Sequence, residues 1–296
     1  EMEAVAQRDV AGLDAALRGH ASLVMSNFSR CLIHGLTRGR LLPAPQHGIA
    51  GYYYRQFGRM SLAFAVTTEM ALMSLGGTLK RRESLSGRLG DVLSQLYLGS
   101  AVLKQYYEQG SPEEDLPLLE YACDDLLCSI QSRLYEILDN FPSRLVARLT
   151  RLLAFPAGKV YRRPLDELSH RVTGLILRPG RVRDRLTQGV YIPDDNTQPL
   201  AQLEDALEKS VAAESVLLKL RDAMRSGALP HGDPEHCADD GVRVGVITAQ
   251  EAAGIKDAVA ARQLVIQVDD FDPEYLTKER ETWRDNNPAG VAGQSL

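Results

Sequence analysis

The stretch that most constrains this chain is residues 52–109, YYYRQFGRMSLAFAVTTEMALMSLGGTLKRRESLSGRLGDVLSQLYLGSAVLKQYYEQ. Its largely apolar positions Met60, Phe64, Thr67 and Thr68, Ala71 and Leu75 recur at spacings of three and four. Leu85, Leu89, Val92, Leu96 and Leu103 repeat the pattern. That is the period of an α-helix with one buried stripe, twice in succession. Between the halves, Gly76-Gly77 supplies the backbone freedom to stop a helix, and Lys80-Arg81-Arg82 makes a solvated corner. Two long helices across a short polar corner form an antiparallel hairpin, whose stripe needs further helices to cover it.

The flanks supply those partners. Asp9 is placed to cap a helix carrying Val10, Leu13, Ala16, Leu17, Leu23, Val24, Phe28, Cys31 and Leu32 on one face, closed by Gly35 and Gly39. Ser111-Pro112-Glu113-Glu114 reads as a helix start, with Ser111 as the cap and Pro112 at the first position. That helix is expected to run to about Asn140, burying Leu118, Leu119, Ala122, Leu126, Leu127, Ile130, Leu134 and Leu138. A further helix starts at Pro142 or Ser143. Four long helices with one-sided stripes and short links predict an all-α fold built on an antiparallel helical bundle.

Beyond the bundle, residues 164–177 and 179–187 read as shorter helices and 189–193 as an extended link. Residues 198–227 form a long helix with Leu200, Leu203, Leu207, Val211, Val216, Leu218 and Leu220, and 230–240 a polar loop. Thr248-Ala249-Gln250-Glu251 is a capping box that opens a last helix to about Val268, followed by an acidic tail. No segment alternates strictly enough to predict a sheet. The expected divisions are 1–42, an appended bundle over 50–190, an acidic helical region over 191–273 and a flexible tail over 274–296.

Charge is unevenly spread. The net charge is −5, which argues against general nucleic-acid binding, yet residues 144–185 hold 11 Lys and Arg against 3 Asp and Glu. Residues 186–296 hold 10 against 20. Such blocks mean either complementarity within the chain or a docking face. Arg144, Arg148 and Arg151 share one side of a helix, beside Leu145, Leu149 and Leu152, and Lys159, Arg162 and Arg163 follow. A basic amphipathic helix of this kind can lie on an anionic membrane surface. The alternative is that these cations face the acidic last third of the same chain. They are the only site residues the sequence singles out, for membrane or anion docking.

Catalytic motifs are not found: no GxGxxG after a strand, GxxxxGK[ST], HExxH or GxSxG. Glu69, set in an apolar helix, invites a proton-transfer role, but pairing with Arg, Lys or solvent at the bundle edge is the more economical reading. Asp91 has the same status. His20 and His34 lack a matched carboxylate or Cys and read as packed or exposed. Cys31, Cys123, Cys128 and Cys237 show no CxxC pair and no zinc spacing, so no metal site is expected and a reducing, cytoplasmic setting fits. The apolar run 60–75 is broken by Glu69 and falls short of the roughly 20 residues of a spanning helix. The absence of an initiating Met points to a fragment of a longer protein.

Several stretches resemble the C-terminal region of the large bacterial acyl-CoA dehydrogenases of fatty-acid β-oxidation. They are EMEAVAQRDVAGLD, SNFSRCLIHGLTRG, LGGTLKRRESLSGRLGDVLSQLYLGSAVLK, EEDLPLLEYACDDLL, NFPSRLVARL, RLTQGVYIP and VDDFDP, and together they reach from Glu1 to about Pro273. The resemblance implies an FAD enzyme that oxidises a fatty acyl-CoA thioester to the trans-2-enoyl-CoA. In that chemistry a carboxylate removes the α-proton while the β-hydrogen leaves as hydride. It places the flavin-binding half and the catalytic Glu before this segment, so no catalytic or cofactor residue is carried over. It makes residues 1–42 the end of the dehydrogenase helical domain. The remainder is an appended domain that braces the catalytic half and docks it to a partner subunit or to the inner face of the cytoplasmic membrane. Implied partners are the acyl-CoA, an electron acceptor and a second copy in a homodimer. The rival reading is a free-standing helical adaptor with no enzyme attached.

Overall fold

The computed structural model describes residues 9–268, with 275 and 282. The described residues are helical, with no strand among them. They fall into two compact units, one ending at Arg183 and one starting at Asp184.

In the first unit, α1 (Val10–Leu36), α2 (Gly48–Leu75), α3 (Glu83–Glu108), α4 (Leu116–Asp139) and α5 (Arg144–Ala154) enclose one core. Helix α2 is its axis, touching α1, α3, α4 and α5. The expected bundle of four is therefore completed by α5 as a fifth member. Met60, Ala63, Val66 and Ala71 of α2 are fully buried with Val92 of α3 and Leu127, Ile130, Leu134 and Ile137 of α4. Each fully buried aliphatic side chain contributes about 1.5–3 kcal/mol, so this seam dominates the unit's stability. The segment Gly48–Arg81 is long and apolar enough to cross a membrane, more than the run 60–75 alone gave. Four helices pack on it.

Local signals set most boundaries. Asp9 Oδ1 accepts from Gly12 N at 2.9 Å and Ser143 Oγ from Val146 N at 3.4 Å, both at the expected helix starts. Gly76, at φ +49°, ends α2, and a 3₁₀ segment (Gly76–Arg81) carries the chain to α3. Ser111 is different. It sits at φ +55°, its N–H closes α3 onto Tyr106 O, and its Oγ accepts from Gln46 Nε2 at 3.1 Å. Ser111 therefore finishes one helix instead of capping the next, and α4 begins at Leu116 after a 3₁₀ turn (Glu113–Asp115).

Two stripes are narrower than expected. Helix α1 buries Val24, Cys31 and Gly35, leaving Val10, Leu17 and Leu23 exposed. Helix α5 packs through Ala147, Thr150 and Ala154, with Leu145, Leu149 and Leu152 turned outward. Short helices α6 (Asp166–Ile176) and α7 (Arg181–Leu186) follow, and the division between units falls within α7.

The second unit is a hairpin of α8 (Pro199–Arg225) and α10 (Ala249–Ile266), with α9 (Ala238–Arg243) against α10. Helix α9 begins where the sequence predicted only polar loop. Leu203 and Leu218 are exposed, and α8 buries Ala201, Ala206, Ala213, Val216, Leu220 and Ala223. Thr248 and Glu251 form both halves of the capping box, with Thr248 N donating to Glu251 Oε2 at 2.7 Å.

Candidate functional site

The strap between α5 and α6, residues 155–165, crosses α4 and is held there by side-chain hydrogen bonds. Gln131 Oε1 accepts from Val160 N at 2.7 Å and Tyr161 N at 3.1 Å, while its Nε2 donates to Tyr161 O at 3.1 Å. One amide thus serves the strap as a neighbouring strand would. The Tyr161 hydroxyl accepts from Arg59 Nη1 at 3.0 Å and donates to Gln56 Oε1 at 2.9 Å. Gln56 in turn donates to Arg38 O at 3.2 Å. Burial pushes the Tyr161 phenol up to about 12, against the opposing pull of Arg59.

Beside this strap a cleft of about 440 Å³ is lined by Tyr52, Asp124, Tyr161, Arg162, Arg163 and Arg171, among others. Tyr53 donates to Asp124 Oδ1 at 2.9 Å. Desolvation nevertheless raises the Asp124 carboxyl above its ordinary range, since that hydrogen bond only partly offsets it.

The six cations singled out in the sequence divide between two places on α4. Arg144 donates to Asp139 O at 3.2 Å, and Arg151 pairs with Asp139 Oδ1 at 2.6 Å. Arg151 and Lys159 both lie over the Tyr135 ring, 5.2 and 4.8 Å from its centroid. Arg163 pairs with Asp125, and Arg162 lines the cleft with it. Ten residues of helix, about 15 Å, separate Asp125 from Tyr135. Arg148 is exposed and has no hydrogen bond or ion pair with any described residue. Among the described residues, the pairs these cations make are with groups of α4.

Glu69 Oε1 lies 3.3 Å from His20 Nε2, so its edge partner is a histidine, and His20 has a carboxylate after all. Asp91 pairs with Arg133 at 3.3 Å. Among the described residues no group of three His, Cys, Asp or Glu is placed to hold a metal ion. Sequence reading passed over Arg59, Gln56, Gln131 and Tyr161. The available signal was a cation, Arg59, at a position in the apolar run where the period demands burial.

The family model described as acyl-CoA dehydrogenase, C-terminal, bacterial type, matches residues 1–271. The chain belongs to that family. No solved structure matches it. The acyl-CoA dehydrogenase family generally uses FAD. An isoalloxazine ring needs an enclosed slot with flat apolar walls, whereas the cleft beside the strap mixes Tyr52, Tyr161 and Leu165 with Arg and Asp side chains, the one at Arg81 and Arg82 is polar, and the more apolar one at Ile49, Ala50 and Leu116 lies open to solvent. They do not fit the ring, and no step through a flavin is assigned to these residues.

Proposed function

We propose that this chain is the C-terminal part of a flavin-dependent enzyme that oxidises fatty acyl-CoA to trans-2-enoyl-CoA in β-oxidation. In this reading it braces the catalytic half and docks the enzyme on the anionic inner face of the cytoplasmic membrane. Membership in the acyl-CoA dehydrogenase family supports the chemistry. The docking role is carried by α5, whose Leu145, Leu149 and Leu152 are 69%, 47% and 62% exposed beside Arg148, unpaired among the described residues. An outward leucine stripe flanked by cations is the composition that settles at a lipid headgroup boundary. Lys159 and Arg162 extend the basic surface, while Arg144, Arg151 and Arg163 divide their charge between it and their α4 partners.

Sedimentation with phosphatidylcholine vesicles, with and without phosphatidylglycerol, tests the docking. The chain should pellet with the anionic vesicles, and Arg148→Glu with Lys159→Glu should abolish this. Equal pelleting with both vesicle types, or no effect of charge reversal, refutes it. The chemistry is tested on the gene-encoded full-length protein, which should carry a flavin absorbance band that bleaches on adding fatty acyl-CoA. A full-length product with no flavin would favour the adaptor reading.

A further inference from the structure

The corner between α2 and α3 has a composition that the fold itself does not use. Gly76 and the 3₁₀ segment turn the chain so that Arg81 and Arg82 meet Arg88 of α3 at the end of α4. They wall a cleft of about 560 Å³ together with Ser84 and Asn140, above the buried Leu85. Arg88 is partly engaged, donating to Ser84 O at 3.3 Å and lying 3.4 Å from Glu136 Oε2. Arg81 and Arg82 are exposed, and their side chains make no hydrogen bond or ion pair with any described residue. Glu83 is the one carboxylate in the lining.

Three guanidinium groups facing one concavity repel one another. They also crowd the end of α3 at which the backbone dipole disfavours cations. An ordinary helix start would place Ser, Asp or Asn there, and Arg82 gives no side-chain cap. A local arrangement that opposes folding, with Arg81 and Arg82 unpartnered among the described residues, marks a place selected for something else. We propose that this corner binds a phosphate-class anion. The planar forks of Arg81 and Arg82 suit the paired oxygens of a phosphate ester, Arg88 supplies a third positive wall, and the Ser84 hydroxyl and Asn140 amide offer neutral donors. The bound anion converts the mutual repulsion into charge-assisted hydrogen bonds. The same chemistry would recognise a dissolved phosphate compound or a phospholipid headgroup, and the site shares no residue with the α5 face.

The test uses the whole 296-residue chain carrying Arg148→Glu and Lys159→Glu to silence the α5 face, the same chain with Arg81→Gln/Arg82→Gln added and, as control, with the exposed Arg221→Gln added instead. Inorganic pyrophosphate, followed by titration calorimetry at low salt, probes the dissolved source. Phosphatidylcholine vesicles containing phosphatidic acid, followed by sedimentation, probe the headgroup. Binding of either probe that weakens about tenfold or more with Arg81→Gln/Arg82→Gln, and not with Arg221→Gln, supports the site and identifies its source. Binding of neither probe overturns it, as does an Arg81→Gln/Arg82→Gln chain that binds like its parent. The replaced side chains have no partners among the described residues, so the Arg81→Gln/Arg82→Gln chain should keep the thermal melt of its parent, and the comparison reads binding and not folding.

Discussion

Arg59 is 1% exposed and its Nη1 has one acceptor, the hydroxyl of Tyr161 at 3.0 Å. Its Nε and Nη2 have none. No carboxylate among the described residues pairs with it, so a cation stands in the bundle core with its charge met by a phenol oxygen and, 5.5 Å away, the ring face of that same tyrosine.

Two substitutions should therefore differ in an instructive order. Tyr161→Phe deprives Arg59 of its acceptor and Gln56 of its donor, at a cost of about 3 kcal/mol in urea denaturation. Arg59→Met removes the charge along with its demands and should stay within about 1 kcal/mol of wild type. The reverse order would show that Arg59 contributes through a partner other than Tyr161.

Two glycines of α3 should respond in opposite directions. A Cβ on Gly99 would overlap the Phe57 ring of α2, whereas one on Gly90 meets nothing within 4 Å. Gly99→Ala is expected to lose about 1–3 kcal/mol despite its better helix propensity. Gly90→Ala should gain about 0.5–1 kcal/mol. Thermal melts of the two variants decide it.

Acid should weaken the second unit through Glu251. Its hydrogen bond from Lys219, followed by those from Thr248, holds its carboxyl at about 2 against an ordinary 4.5. A depressed folded-state value means the stabilisation is fully present above about pH 4.5 and fades as pH falls toward 2. Far-UV melts of Glu251→Gln across that window should show a flatter acid dependence than wild type. Parallel curves would count against the assignment.

Thiol reactivity should divide the four cysteines. Burial raises the Cys31 thiol to about 12 and raises Cys123 also, whereas Cys128 and Cys237 are only half-buried. A chromogenic disulfide reagent should find two thiols in the native chain and four in denaturant. Rapid native labelling of Cys31 would show that α1 lifts from α2 and α5.

Much of the fold was legible because it is written locally. The caps at Asp9, Ser143 and Thr248 each needed only neighbours three residues on, and the α4 stripe kept its helical period. What failed was decided at a distance. Ser111 looks like a cap until Gln46, 65 residues away, takes its hydroxyl. Glu69 looks unmatched until α1 brings His20 to it. The leucines of α5 and α8 fit a helix face, but which face is buried depends on the alanines opposite, and hydrophobicity alone ranks leucine first. Of the candidate site, the cations were found and their α4 partners were not. Residue order shows that Arg163 is basic; only packing brings Asp125 beside it.

Two of the fasteners that hold the strap are of unlike character. The Gln131 amide is neutral, so neither brine nor acid should loosen its grip on Val160 and Tyr161. The clip from Arg163 to Asp125 is an exposed ion pair, the kind that concentrated electrolyte dissolves. In strong salt the strap should stay moored at Val160 and Tyr161 while its far end loosens, so that the adjoining cleft widens from a single side.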